Sequence, residues 1–153
     1  MKILSFRALA LALSMLASLL LPRLSLGAGE DPGDQPRITG NQLRAMVVDQ
    51  TWYGFAVDGG FTWVEYYSPD GDAFYRDENG FLFGTWEIKG EEEICFHYPA
   101  LDTFCFAALK MPSGQVAIYD LERKSLIHMT TRIVPGDPER LADQPEIGDL
   151  VGD

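Results

Sequence analysis

The chain has 153 residues, 23 acidic against 12 basic, and a formal net charge of −11, with hydrophobic residues making up 46%. That is enough for one domain with a buried core, and the negative surface excludes nucleic acid and anionic membrane faces as partners. A cationic ligand, a basic protein or calcium would be favoured by charge, but only in general terms.

Residues 1–27 read as an export signal. Lys2 and Arg7 form a positive start, and Ala8 to Leu21 is an uncharged apolar stretch of 14 residues. A spanning helix needs about 20. Ser25-Leu26-Gly27 places small residues where a signal peptidase reads, which predicts cleavage near Gly27–Ala28 and a periplasmic or secreted protein, with no stable membrane insertion afterwards. The absence of cysteine at the junction argues against a lipid anchor. Without Lys2, Arg7 and Arg23, nine basic residues face all 23 acidic ones, a net of −14.

Residues 28–37, AGEDPGDQPR, are polar and proline-rich and read as a flexible leader. Thr39 then makes an N-cap for a short helix over 40–48, with Leu43, Met46 and Val47 on one face. Nine residues are marginal as an isolated helix, so it should plug or cover one end of the sheet that follows.

From Thr51 onward, short strands alternate with turn signals. They are predicted at 51–57, 61–67, 73–76, 81–88, 93–98, 103–110, 115–121 and 126–134. Asp58-Gly59-Gly60, Pro69-Asp70-Gly71, Asn79-Gly80, Lys89-Gly90 and Pro112-Ser113-Gly114 stand among the turns between them. Seven or eight strands in tight sequence predict an all-β fold, a small antiparallel up-and-down barrel of lipocalin-like shape spanning 38–134.

The chain is best determined at GTWEIKGEEEICFHYPALDTFCF, residues 84–106. A hairpin centred at Ala100 sets Cys95 opposite Cys105, Phe96 opposite Phe104, Ile94 opposite Phe106 and His97 opposite Thr103. In an oxidising compartment the two cysteines form a disulfide, whose loop of about ten residues contributes about 3 kcal/mol in the chain-entropy model. His97 shares the face of Cys95, which is taken as the barrel's outside. Residues 135–153 carry six acids against Arg140 and read as a disordered acidic tail with at most one helical turn near Glu139 to Ala142.

Catalytic motifs are scarce. There is no GxSxG, P-loop or GxGxxG, and Ser113 lies in a turn. The histidines, His97 and His128, have no partner at ligand spacing and read as satisfied or surface side chains. Asp70, Asp72 and Asp77, with Glu78, form a weak calcium candidate, but their spacing is not that of an EF-hand loop, and hairpin turns account for the same residues. Glu91-Glu92-Glu93 reads as a solvated turn. No cofactor and no metal is expected, and the chain is read as non-enzymatic.

The aromatics are more informative. Sixteen fall between Trp52 and Phe106, and several strands carry them on both faces. A barrel needs one apolar face, so the second is either an exposed patch or packs under the N-terminal helix. The interior is either filled solid by side chains or leaves a ligand cavity. Trp63, Tyr66, Trp86, Phe96 and Phe104 are the candidates for binding.

Tyr66, Tyr67, Pro69, Asp70 and Gly71, then Gly84, Trp86 and Ile88, then Cys95, Phe96, Tyr98, Pro99 and Cys105, resemble the pattern of small exported proteobacterial β-barrel proteins of unassigned function. The likeness covers about residues 39–110; it implies the fold and export and carries no activity. Gly84-Thr85-Trp86 also resembles the Gly-x-Trp of lipocalins, though it lies mid-chain here and not on the first strand. Small periplasmic lysozyme inhibitors are similar in size and disulfide closure. The function expected is a binding module of the periplasm that takes a small apolar ligand or a protein segment. An acidic inhibitor of a basic enzyme such as lysozyme, or a hydrolase with an unrecognised carboxylate pair, are the alternatives.

Overall fold

The computed structural model describes residues 31–99 and 101–144; the segment read as an export signal, the expected hairpin centre Ala100, and residues 145–153 of the expected acidic tail lie outside them. Eight strands run in chain order: β1 (Gln50–Ala56), β2 (Thr62–Tyr67), β3 (Asp72–Asp77), β4 (Gly80–Lys89), β5 (Glu93–His97), β6 (Phe104–Lys110), β7 (Val116–Asp120) and β8 (Ser125–Pro135). Each pairs antiparallel with the next, and β8 returns to β1, so the sheet is a closed up-and-down barrel. Closure leaves no free strand edge.

The cysteine hairpin has the expected register, with Cys95 opposite Cys105, Phe96 opposite Phe104 and Ile94 opposite Phe106. The disulfide is formed, with Cα atoms 4.0 Å apart. It sits on the outer face, as does His97, whose Nδ1 lies 2.9 Å from Thr103 Oγ1.

The helix α1 (Gly40–Val47) closes one end. Leu43 and Val47 are fully buried and pack with Trp52, Tyr67, Ile94 and Ala108, while Met46 lies at the edge of that cluster. Trp52 locks the plug in place, because its Nε1–H donates to the Met46 carbonyl at 2.7 Å. Thr39 is extended at the N-cap, but its side chain caps nothing. The Gly40 amide instead donates to Glu91 in the β4–β5 turn at 2.8 Å, which ties the helix to the barrel's rim.

Two segments expected to be flexible are ordered where described. Residues 31–37 include a 3-10 turn at Pro32–Asp34 and lead into an antiparallel bridge with β6, Arg37 opposite Leu109. The Ile38 amide donates to Ala108 O and the Lys110 amide to Pro36 O, both at 2.8 Å. After β8, residues 136–144 fold back over β1 to β3. The Thr51 hydroxyl donates to Gly136 O at 2.5 Å. Glu139 accepts from Tyr53 Oη and from Arg76 Nη2, each at 2.9 Å. Asp137 accepts from the Leu141 and Ala142 amides and so shapes the 3-10 turn Leu141–Asp143. Leu141 is fully buried against Val64 and Tyr66, with Tyr53, Phe74 and Phe81 around it.

That contact places the second aromatic face. It packs under the C-terminal segment and not under the helix, because Val64, Tyr66 and Phe74 point outward while Trp63 and Tyr67 point in. Leu141→Ala should therefore cost about 2 kcal/mol, the lower range for a buried leucine truncation, and urea denaturation at fixed pH would measure it.

Candidate ligand cavity

Strand direction places the hairpin segments 57–61, 77–80, 97–99 with 101–104, and 120–125 at the end of the barrel opposite α1. Val57, Leu82, Leu101 and Phe104, the exposed large apolar residues among those described, all belong to this end. Between them opens a cavity of about 390 Å³ that descends among Trp63, Glu65, Tyr67, Tyr75, Phe96, Tyr98, Phe106, Ile118 and His128. Its size falls within the range of small-molecule sites. The interior is thus filled at the helix end and hollow at the other.

The hollow follows from side-chain placement. At the closed end Trp52, Tyr67 and Trp86 meet edge to face, with ring centroids 5.5 and 6.1 Å apart across Tyr67. Above them Trp63 stacks with Tyr75 at 6.4 Å, and Phe96 with Tyr98 at 6.4 Å, so the rings line the wall. Gly54 lets Trp63 lie flat against β1: a Cβ there would collide with the indole and with the Met129 carbonyl. The β1–β8 register shifts at this same point, between Tyr53 and Gly54.

Glu65 is a buried carboxyl on this wall, 6% exposed. Its Oε2 accepts from Tyr67 Oη at 2.9 Å, and its Oε1 accepts a short hydrogen bond from Tyr98 Oη. Burial pushes the carboxyl up to about 7, against the two tyrosine hydroxyls, which favour the ionised form. Both tyrosines are raised well above their ordinary range, by burial first and then by the neighbouring Glu65, and stay protonated donors.

Trp63 Nε1 and His128 Nδ1 are buried polar atoms without a partner among the described residues. His128 is held below its usual range by burial, partly offset by a ring hydrogen bond to the Phe55 carbonyl, and so is neutral. It was expected to be a satisfied or surface residue; Phe55 satisfies one ring nitrogen of the half-buried side chain, and Nδ1 is the atom left without a partner among the described residues. Ile118 pairs with His128 but Tyr119 with Leu126, so residue 127 is bulged, and both Ile127 and His128 reach the lumen.

The mouth carries charge in fixed positions. Asp77 accepts from Tyr75 Oη at 3.1 Å and from the Asn79 amide at 2.7 Å. Asp120 accepts from the Glu122 and Arg123 amides at 2.9 Å, with the Arg123 guanidinium 3.7 Å away. Both carboxylates are engaged in shaping hairpin turns.

Of the residues expected to bind, Trp63, Phe96 and Phe104 line the cavity. Trp86 points inward but lies below it, with Nε1 donating to Ser68 O at 3.1 Å. Tyr66 faces outward, stacked on Phe74 at 6.0 Å and donating to Asp49. Asp70 and Asp72 lie at the β2–β3 turn and Asp77 at the far end of β3, so the calcium candidate is not assembled. Among the described residues, the grouping of possible metal ligands is Glu93 with Cys95 and Cys105, whose sulfurs are consumed in the disulfide. Glu65 was not anticipated. The available signal was its parity with Trp63 and Tyr67 in β2.

Fold and cavity together define a closed eight-stranded up-and-down β-barrel, plugged by a helix at one end and open to an aromatic cavity at the other. The chain matches no protein-family model, no curated protein and no solved structure.

Proposed function

We propose that the protein is a non-enzymatic binding protein that admits a small, mainly apolar molecule through the mouth of the barrel. The observation that carries this reading is the cavity of about 390 Å³, walled by aromatic rings and rimmed by exposed Leu82, Leu101 and Phe104. Burying aromatic and aliphatic ligand surface there would supply affinity, and the few inward polar groups would supply orientation. Trp63 Nε1 and His128 Nδ1 offer a donor and an acceptor that the described residues leave unused. Paired-carboxylate hydrolysis is disfavoured by the engagement of Asp77 and Asp120 in turns, which leaves Glu65 without a second free carboxylate on the wall. The disulfide supports residence in an oxidising compartment, in keeping with the signal-like N-terminal sequence. Native mass spectrometry of protein purified gently from its own host tests the reading. A retained non-covalent mass of small-molecule size is expected; a bare chain that also fails to take up an apolar dye would contradict it.

A further inference from the structure

Glu65 is a carboxyl in a low-dielectric wall without a cation. The forces acting on it are burial and two tyrosine hydroxyls, with no lysine, arginine or charged histidine contributing. Arg123, the cationic side chain on the cavity lining, stands at the mouth beside Asp120 with its side chain 77% exposed. A buried carboxylate lacking a counter-charge is costly to the folded protein. An apolar neighbour of the same shape would avoid that cost. The tyrosines are instead aimed to hold the ionised form, one on each oxygen. Each oxygen keeps further acceptor capacity.

The surroundings favour the same charge. Trp63, Tyr75, Phe96 and Phe106 line the same cavity as the carboxyl, and aromatic walls attract cations, most strongly where water is excluded. The mouth carries Asp77 and Asp120 against the one guanidinium of Arg123, and the chain as a whole carries −11. Cations are thereby concentrated at the entrance and anions turned away.

We infer that the cavity takes an organic cation, a primary or substituted ammonium group seated on Glu65 and carried on a flat apolar body that fills the space between Trp63, Phe96 and the mouth. This inference rests on the binding-protein reading above and names the ligand class for it. The ammonium would donate to Glu65 where Tyr67 and Tyr98 leave lone pairs free, and the apolar body would reach towards Phe104 and Leu82. A neutral molecule of the same shape would gain the apolar contacts but leave the carboxylate unpaired.

Isothermal titration at about pH 8, where Glu65 is mostly ionised, separates the two readings, with tryptamine and its neutral alcohol counterpart tryptophol as ligands. Tryptamine should bind about 30-fold more tightly, a factor that one charge-assisted hydrogen bond supplies. Glu65→Gln should remove most of that preference for tryptamine over tryptophol. Equal binding of both compounds to the wild type would overturn the cation inference and leave the cavity reading standing. Binding of neither would overturn the inference and count against the cavity as well. The wild-type comparison decides the matter even if the glutamine variant folds poorly.

Discussion

Replacing Trp52 with alanine should destabilise the protein by about 4 kcal/mol, within the range for a fully buried tryptophan truncated to alanine. Trp52 is 0% exposed and sits where helix and barrel meet. Its indole touches Tyr67 edge to face, and its Nε1–H satisfies the Met46 carbonyl near the helix C-terminus. Truncation would open a void beneath Tyr67 and leave that helical carbonyl without its donor. An eight-residue helix has little stability of its own, so it should fray once its anchor is gone. Trp52→Phe keeps most of the packing and loses the hydrogen bond, and should cost about 1 to 2 kcal/mol. Urea unfolding followed by circular dichroism measures both. A loss below about 1 kcal/mol for the alanine variant would show that α1 is not the plug described here.

The second large effect is a pH dependence that belongs to Glu65. Its carboxyl titrates near 7 in the folded protein against an ordinary 4.5, with burial as the main cause. Below 4.5 folded and unfolded chains both hold the proton, and the full contribution is present. Between 4.5 and about 7 the folded state keeps a proton that the unfolded state releases, so stability falls as pH rises through this interval. The interval is worth about 3 kcal/mol. His128, kept neutral in the fold, acts in the opposite direction below its ordinary value and gains stability as pH rises. Glu139, held low by Arg76 and Tyr53, loses its contribution only as pH falls through its own, lower range. Neither changes on substitution of Glu65. The difference between wild type and Glu65→Gln, measured by thermal or urea unfolding from pH 4 to 8, therefore isolates the buried carboxyl. Parallel curves would contradict the assignment.

The cysteine hairpin was readable because three independent signals agreed on one register: alternation of Phe96 with Cys95, alternation of Phe104 with Cys105, and a turn of fixed centre. The strand succession was readable for a similar reason, since turn chemistry punctuates it at nearly every step. The interior was harder. In β2, Trp63 and Tyr67 alternate with Val64 and Tyr66, so hydrophobicity does not say which face is inside. A glutamate on either face is then assigned to solvent by default, and Glu65 was passed over for that reason. The choice is made by long-range packing, when Leu141 returns from 74 residues beyond Tyr67 to cover Val64 and Tyr66. That same segment looked like a disordered tail because a single leucine anchors it amid acids, and its partners are scattered over β1 to β4. His128 escaped for a third reason: a one-residue bulge reverses inside and outside, and no local residue type announces it.

The cavity itself is tested most directly by titrating the purified protein with N-phenyl-1-naphthylamine, a neutral apolar dye that fluoresces on leaving water. A saturable one-to-one enhancement is expected in the wild type. It should be lost in Ile118→Trp, which places a larger side chain on the wall of the cavity. An enhancement that never saturates, or one that persists in an Ile118→Trp protein with an unchanged unfolding transition, would contradict a binding cavity inside the barrel.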